Sequence, residues 1–225
     1  FPNKKVYAVG NPASRFKFFG TNDKIDNINT NKALCIVLDT PDIKRIDGAN
    51  INNFEYVIKI DHHPIIDKFA NIEVVDDNAC STCQLILEFA FANKICLSKE
   101  VGEKLYLGIV GDTDRFLHDY TSSRTFELVN KLIKETNIDF TSLYKYLYQR
   151  PLTEIRFEGY IYQNLILTDN GVAYVKLTDK TMKEYGVDSA AAGNMINDLK
   201  FVNEITVWVF LSEDIKSNLI RANIR

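Results

Sequence analysis

The feature that most limits what this chain can fold into is the run Val57-Ile58-Lys59-Ile60-Asp61-His62-His63-Pro64. An apolar segment leads straight into an acid and two imidazoles, and a proline closes it. The 225 residues contain three histidines, and two of them stand here side by side. Proline has no N–H to donate to a ladder, so a strand stops at it and leaves its polar groups at the strand end. In open α/β sheets that end is where ligands bind. Imidazole and carboxylate together suit manganese, iron, zinc and similar ions.

Two further acids follow the same logic. Ala33-Leu34-Cys35-Ile36-Val37-Leu38 is a continuous apolar run, the pattern of a strand buried on both faces, and it ends in Asp39-Thr40-Pro41. Leu105-Tyr106-Leu107-Gly108-Ile109-Val110-Gly111 ends in Asp112-Thr113-Asp114-Arg115. Each apolar segment delivers a carboxylate where the chain leaves the core. The pattern predicts that Asp39, His62, His63 and Asp112 converge.

Strands separated by helical stretches imply a parallel sheet with crossovers. Strands are expected over Lys4–Val9, 34–39, Phe54–Ile60 and Ile72–Val75. Asp42–Asn53 reads as a loop or short helix. Helices are expected over Ser81–Phe91, Lys99–Gly111, Thr121–Lys134 and Asp139–Tyr148. Around Gln149-Arg150-Pro151 the character changes. A helix over Glu154–Tyr162 follows, then a hairpin turning at Asp169-Asn170-Gly171. Helices over Thr178–Tyr185 and Ser189–Leu199 and strands over Ile205–Leu211 and Ser217–Arg225 complete a small α+β unit. The domains so predicted are 1–148 and 156–225, with 149–155 as linker.

Composition narrows the function classes. A formal charge of −3 argues against a broad platform for long duplex nucleic acid, and leaves room for a small anionic substrate at a local positive site. No apolar run approaches the roughly 20 residues of a membrane span, and no secretory signal is present. Four cysteines do not make a disulfide framework. Cys80-Ser81-Thr82-Cys83 has metal or redox spacing, but Cys35 and Cys96 stand alone, and the pair reads as small residues at the start of a buried helix. Reduced thiols point to the cytoplasm. The chain opens on Phe1-Pro2 and stops on Arg225 inside a strand pattern, so both ends read as cuts through a longer protein.

Leu38-Asp39-Thr40, Ile60-Asp61-His62-His63-Pro64 and Gly108-Ile109-Val110-Gly111-Asp112-Thr113, in that order, resemble the DHH phosphoesterase family. Within it, the chain is most similar to the branch of bacterial nano-RNase/pAp phosphatases and related cyclic-dinucleotide phosphodiesterases. Asp-His-His alone is a common tripeptide; the three motifs together, at these spacings, are specific. The resemblance implies an α/β fold in which a parallel-sheet DHH domain precedes a smaller α+β DHH-associated domain, with substrate in the cleft between them. It implies hydrolysis of phosphate esters supported by two divalent ions, manganese or else magnesium. Asp39 and Asp112 would bridge the ions, His62 would ligate one, and His63 would face the phosphate as donor or acid. Asp61 would orient the site.

Arg115 suits a phosphate, with a salt bridge to Asp114, Asp119 or Glu127 as the other reading. Ser81 could meet a phosphate at a helix N-terminus or simply cap the helix. Arg221 could meet a phosphate tail or lie on a solvated strand face. The expected partner is a short RNA or a nucleotide, and a homodimer is compatible with the pattern. Linear or cyclic dinucleotide hydrolysis, inorganic pyrophosphatase activity and a non-catalytic nucleotide-binding module are the alternatives. The family's upstream His followed by two Asp, and its closing Gly-Gly-His segment, have no counterpart here. Residues 1–225 are therefore expected to form an incomplete metal site with little activity of their own.

Overall fold

The computed structural model describes residues 3–11, 18–187, 192 and 198–225. Two compact units divide the chain, Phe1–Tyr148 and Gln149–Arg225.

The first unit is built on a three-stranded parallel sheet, β1 (Leu34–Leu38), β2 (Tyr56–Asp61) and β3 (Ile72–Val75), in that spatial order. Register sets Leu38 beside Ile60 and Asp61 beside Val75, so the strands end at one rim. Along β2 the inward positions are Val57, Lys59 and Asp61, each buried, while Tyr56 is exposed. Such alternation is the period of a strand. Four helices follow: α1 (Thr82–Ala92), α2 (Lys99–Asp112), α3 (Ser123–Thr136) and α4 (Phe140–Tyr148). Leu87, Ile109, Val110 and Leu132 are fully buried between them. The Ser81 hydroxyl accepts a hydrogen bond from the Gln84 N–H at 3.0 Å, and Ser98 does the same for Val101 at 3.3 Å, which fixes where α1 and α2 begin. A Cβ at Gly108 would overlap the Cys83 sulfur, so α2 carries glycine where α1 comes nearest.

These helices match the expected ones to within two residues at each end, and Asp112 is the last residue of α2. The expected loop or short helix over Asp42–Asn53 contains two single-turn 3₁₀ segments, Ile43–Arg45 and Ile51–Asn53. One expected strand is corrected: Lys4–Val9 pairs with no strand among the described residues. Ala8 is tied to Asp23 instead, donating to its carboxylate at 2.9 Å and accepting from its N–H at 2.7 Å, and Val6 is 85% exposed. Alternating polarity describes a half-buried surface but supplies no neighbouring strand to pair with.

The second unit opens with α5 (Leu152–Asn164) after Pro151, so the first turn of that helix lies inside the stretch 149–155. A mixed sheet follows in the order β4 (Ile166–Leu167), β5 (Val172–Leu177), β6 (Val207–Asp214) and β7 (Leu219–Ile224). Strands β5 and β6 are parallel and the other two pairs antiparallel. The short helix α6 (Asp179–Glu184) lies in the crossover from β5 to β6. Phe157, Ile161, Ala173, Val175, Leu177, Met182 and Phe210 form the core of this unit. The helix expected over Ser189–Leu199 falls largely outside the described residues. No described helix is long and apolar enough to cross a membrane. A parallel α/β unit with a smaller mixed α+β unit is the expected fold class.

Candidate metal centre

Because β1 and β2 are parallel neighbours, the residues that leave them emerge side by side. The Asp39 N–H donates to the Ile60 carbonyl at 3.0 Å, which seats Asp39 at the rim beside Asp61-His62-His63. Asp39 adopts φ +60°, a left-handed conformation that aspartate tolerates better than most residues. Its Oδ1 accepts a hydrogen bond from Thr82 Oγ1 at 2.8 Å, so the first residue of α1 orients it. Asp112 arrives from the C-terminal end of α2.

Between these two carboxylates stands His62. Its Nε2 is 3.4 Å from Asp39 Oδ1 and 3.5 Å from Asp112 Oδ2. Its Nδ1 lies 3.3 Å from the Ala79 carbonyl, which can only accept, so Nδ1 is the donor on that side and Nε2 is the nitrogen turned to the carboxylates. A backbone carbonyl behind the ring is the usual support of a metal-bound imidazole. Donors that share a divalent ion at about 2.0–2.2 Å stand roughly 3–3.5 Å apart, the spacing found here. Asp39, His62 and His63 can each offer a ligand atom within 4.8 Å of one another. Burial pushes the Asp112 carboxyl above the usual carboxylate range, and the charge of Asp39 adds to it, while His62, His63 and His118 act in the opposite sense. Mutually repelling carboxylates, Asp39 exposed and Asp112 part-buried, beside an imidazole are a donor set that a divalent cation fits.

His63 is held differently from its neighbour. Its Nδ1 lies 2.8 Å from Asp61 Oδ1, and its backbone N–H donates to the same oxygen at 3.2 Å. Asp61 is fully buried, and its other oxygen, Oδ2, is 3.7 Å from the ammonium of Lys59, which is also fully buried. The two imidazole rings are 4.4 Å apart and tilted by 57°. Adjacent in sequence, they have different supports, a backbone carbonyl for His62 and a buried carboxylate for His63.

The remaining predicted residues are placed as follows. Ser81 is fully buried with its hydroxyl engaged as the cap of α1, and it is Thr82 whose side chain reaches the rim. Arg115 makes the salt bridge to Asp114, Nη2 to Oδ1 at 3.0 Å, and its guanidinium lies 5.0 Å from the centre of the Tyr148 ring. Asp114, Arg115 and Phe116 have φ of +46°, +64° and +67°, three left-handed residues in succession directly beyond the acid that ends α2. Arg221 belongs to the second unit, where it binds Asp214 Oδ2 through Nε at 2.9 Å and Nη2 at 2.6 Å. Cys80 and Cys83 are free thiols. Cys83 is pushed up to about 12, by burial first and then by Asp112 and Asp39. Without metal such a thiol stays protonated at neutral pH, in keeping with packing at a helix start.

Sequence reasoning missed three participants. Thr82, Lys59 and the Ala79 carbonyl have no motif of their own. The available signal was a lysine at an inward position of an apolar strand, where only a paired charge is tolerated.

No family model matches the chain. It is 33% identical over 217 residues to the bifunctional oligoribonuclease and PAP phosphatase NrnA of Bacillus subtilis, covering 95% of this chain and 69% of that protein. It is 32% identical over 213 residues to the probable bifunctional oligoribonuclease and PAP phosphatase NrnA of Streptococcus mutans, covering 95% and 68%. Among solved structures, an exopolyphosphatase-related protein from Bacteroides fragilis matches with a TM-score of 0.78 at 22% identity, over 94% of this chain and 62% of that one. At that identity the likeness is one of fold.

Proposed function

Because the chain belongs to the DHH phosphoesterase family, in its oligoribonuclease and PAP phosphatase branch, we propose that it is a metal-dependent phosphoesterase acting on short oligoribonucleotides and 3′-phosphoadenosine 5′-phosphate. The observation that carries the reading is the position of His62 Nε2, 3.4 and 3.5 Å from carboxylates delivered by two other elements. Asp39, His62 and Asp112 would hold a divalent ion, manganese in our reading. When bound, such an ion relieves charge on the phosphoryl oxygens and lowers the pKa of a water.

The chain's own groups do the rest. Thr82 and the Ala79 carbonyl keep Asp39 and His62 aimed. Asp61 fixes Nδ1 of His63 and thereby directs the opposite nitrogen, Nε2, away from the buried side. From there His63 would meet a phosphate oxygen or give a proton to the leaving oxygen. Hydrolysis forms one P–O bond from water and breaks the ester P–O bond. Arg115 would steady a phosphate by exchanging Asp114 for it.

The test is turnover by the natural full-length protein with Mn²⁺, on short RNA, 3′-phosphoadenosine 5′-phosphate and pyrophosphate. Release of mononucleotides and of phosphate from the first two, lost together in Asp112→Asn, is the expected result. Tight nucleotide binding without turnover would make the protein a binding module, and hydrolysis of pyrophosphate alone would make it a pyrophosphatase.

A further inference from the structure

Lys59 is among the largest fully buried side chains of the described residues. It sits mid-strand in β2, on the inward face between Val57 and Asp61, where an aliphatic residue would pack without cost. An ammonium taken out of water is costly unless paired and hydrogen-bonded. Its Nζ donates to the Pro41 carbonyl at 3.1 Å and to the Asp67 carbonyl at 3.4 Å. It lies 3.7 Å from Asp61 Oδ2 and 4.9 Å from the centre of the Phe69 ring. No hydrogen bond reaches Asp61 Oδ2, so the lysine charge is what that oxygen faces. Asp61 Oδ1, the other end of the same carboxylate, binds His63.

These contacts join three parts of the rim. Pro41 closes the turn that carries Asp39, Asp67 follows the His pair, and Asp61 sets His63. We propose that Lys59 is a positioning residue of the phosphoesterase site: its ammonium anchors Asp61, through which it orients His63, and ties down the turn behind Asp39. The proposal rests on the phosphoesterase reading above for its effect on turnover, and on geometry alone for its effect on His63. Lysine suits the place because one ammonium donates to two carbonyls and sets its charge against a carboxylate. Its stem meanwhile fills the inward face of the strand.

The experiment is Lys59→Met in the natural full-length protein, with Lys59→Gln as the second variant. Glutamine keeps a donor for the carbonyls and removes the charge, so it serves if the methionine protein does not fold. Two quantities are read. The first is the low-field proton resonance of the His63 Nδ1–H in the hydrogen bond to Asp61, assigned by its loss in His63→Gln. The second is kcat against KM with Mn²⁺ and short RNA.

The expected result is a resonance that broadens or moves upfield in both lysine variants. With it, kcat should fall about 10- to 100-fold, as for other groups that orient a site from behind it, and KM should change less than about threefold. A folded variant with the wild-type resonance and wild-type kcat overturns the proposal and leaves Lys59 a packing residue. If the wild-type protein turns over no phosphate ester, the functional reading fails by itself. The resonance then still decides whether Lys59 orients His63.

Discussion

The rim of the first sheet and the β6–β7 hairpin of the second unit use the same kinds of side chain to opposite ends. In the hairpin, Arg221 and Asp214 meet within one turn of chain, and Asp214 Oδ2 takes two guanidinium hydrogen bonds at 2.6 and 2.9 Å. Arg221 holds that carboxyl below the usual range. At the rim, Asp39, His62 and Asp112 come from the ends of β1, β2 and α2, His62 Nε2 lies 3.4 Å from Asp39 and 3.5 Å from Asp112, and Asp112 is shifted the other way. A local pair neutralises itself and serves structure. Acids and an imidazole brought together from distant parts of the chain leave negative charge uncompensated, and that imbalance is what a cation can answer.

The sharpest way to break this contrast is Asp112→Asn. Divalent-ion affinity should fall by at least about a hundredfold by calorimetry, with turnover lost alongside. The metal-free protein should respond in the opposite direction. A carboxyl whose pKa is raised on folding takes stability away as pH rises above its ordinary value of 3.8 and through its folded value. The asparagine variant should therefore melt higher than wild type at neutral pH without metal, and the gap should close as pH falls toward 3.8. A variant that melts lower at neutral pH would show that Asp112 serves the fold instead.

Thr82→Val comes next. It removes the hydroxyl that holds Asp39 and keeps the shape, so ion affinity should fall about tenfold with little change in melting temperature. Gly108→Ala tests the scaffold under the same site. The added methyl meets the Cys83 sulfur, and thermal unfolding should report a loss of about 1–3 kcal/mol. An unchanged melting temperature would mean that α1 and α2 can part without cost. Smallest is Arg221→Ala, which should leave ion affinity unchanged and shift the melting temperature only slightly, since the Arg221 side chain is half-exposed. Its trace should appear at the acid end. In wild type the stability tied to Asp214 is present above pH 3.8 and fades as pH falls through the lowered value, and the variant should lack that step.

Much of this was legible in the chain. Helical periodicity located α1 to α3, and of the two readings of Ser81 the cap is the one found at α1, because a cap is a local chemical event. Asp39, His62 and Asp112 were legible because each follows an apolar run, although β1 is not buried on both faces as expected: Leu34, Ile36 and Leu38 are 51%, 53% and 46% exposed. Lys4–Val9 was misread, since alternation says nothing about whether a partner strand exists. At the start of α1 the sequence offers two adjacent hydroxyls, Ser81 and Thr82. Which one turns inward to cap and which reaches Asp39, 43 positions away, follows from how α1 lies against the end of β1. Lys59 is a charge inside an apolar strand, but its partners at Pro41 and Asp67 are backbone carbonyls, which carry no sequence signature.

The central claim is that Asp39, His62 and Asp112 form one cation site. Anomalous diffraction from crystals grown with Mn²⁺ tests it most directly. A manganese peak bounded by Asp39 Oδ1, His62 Nε2 and Asp112 Oδ2 is the predicted result. A peak elsewhere on the protein, or none at millimolar Mn²⁺ with the three side chains in their present places, would contradict it.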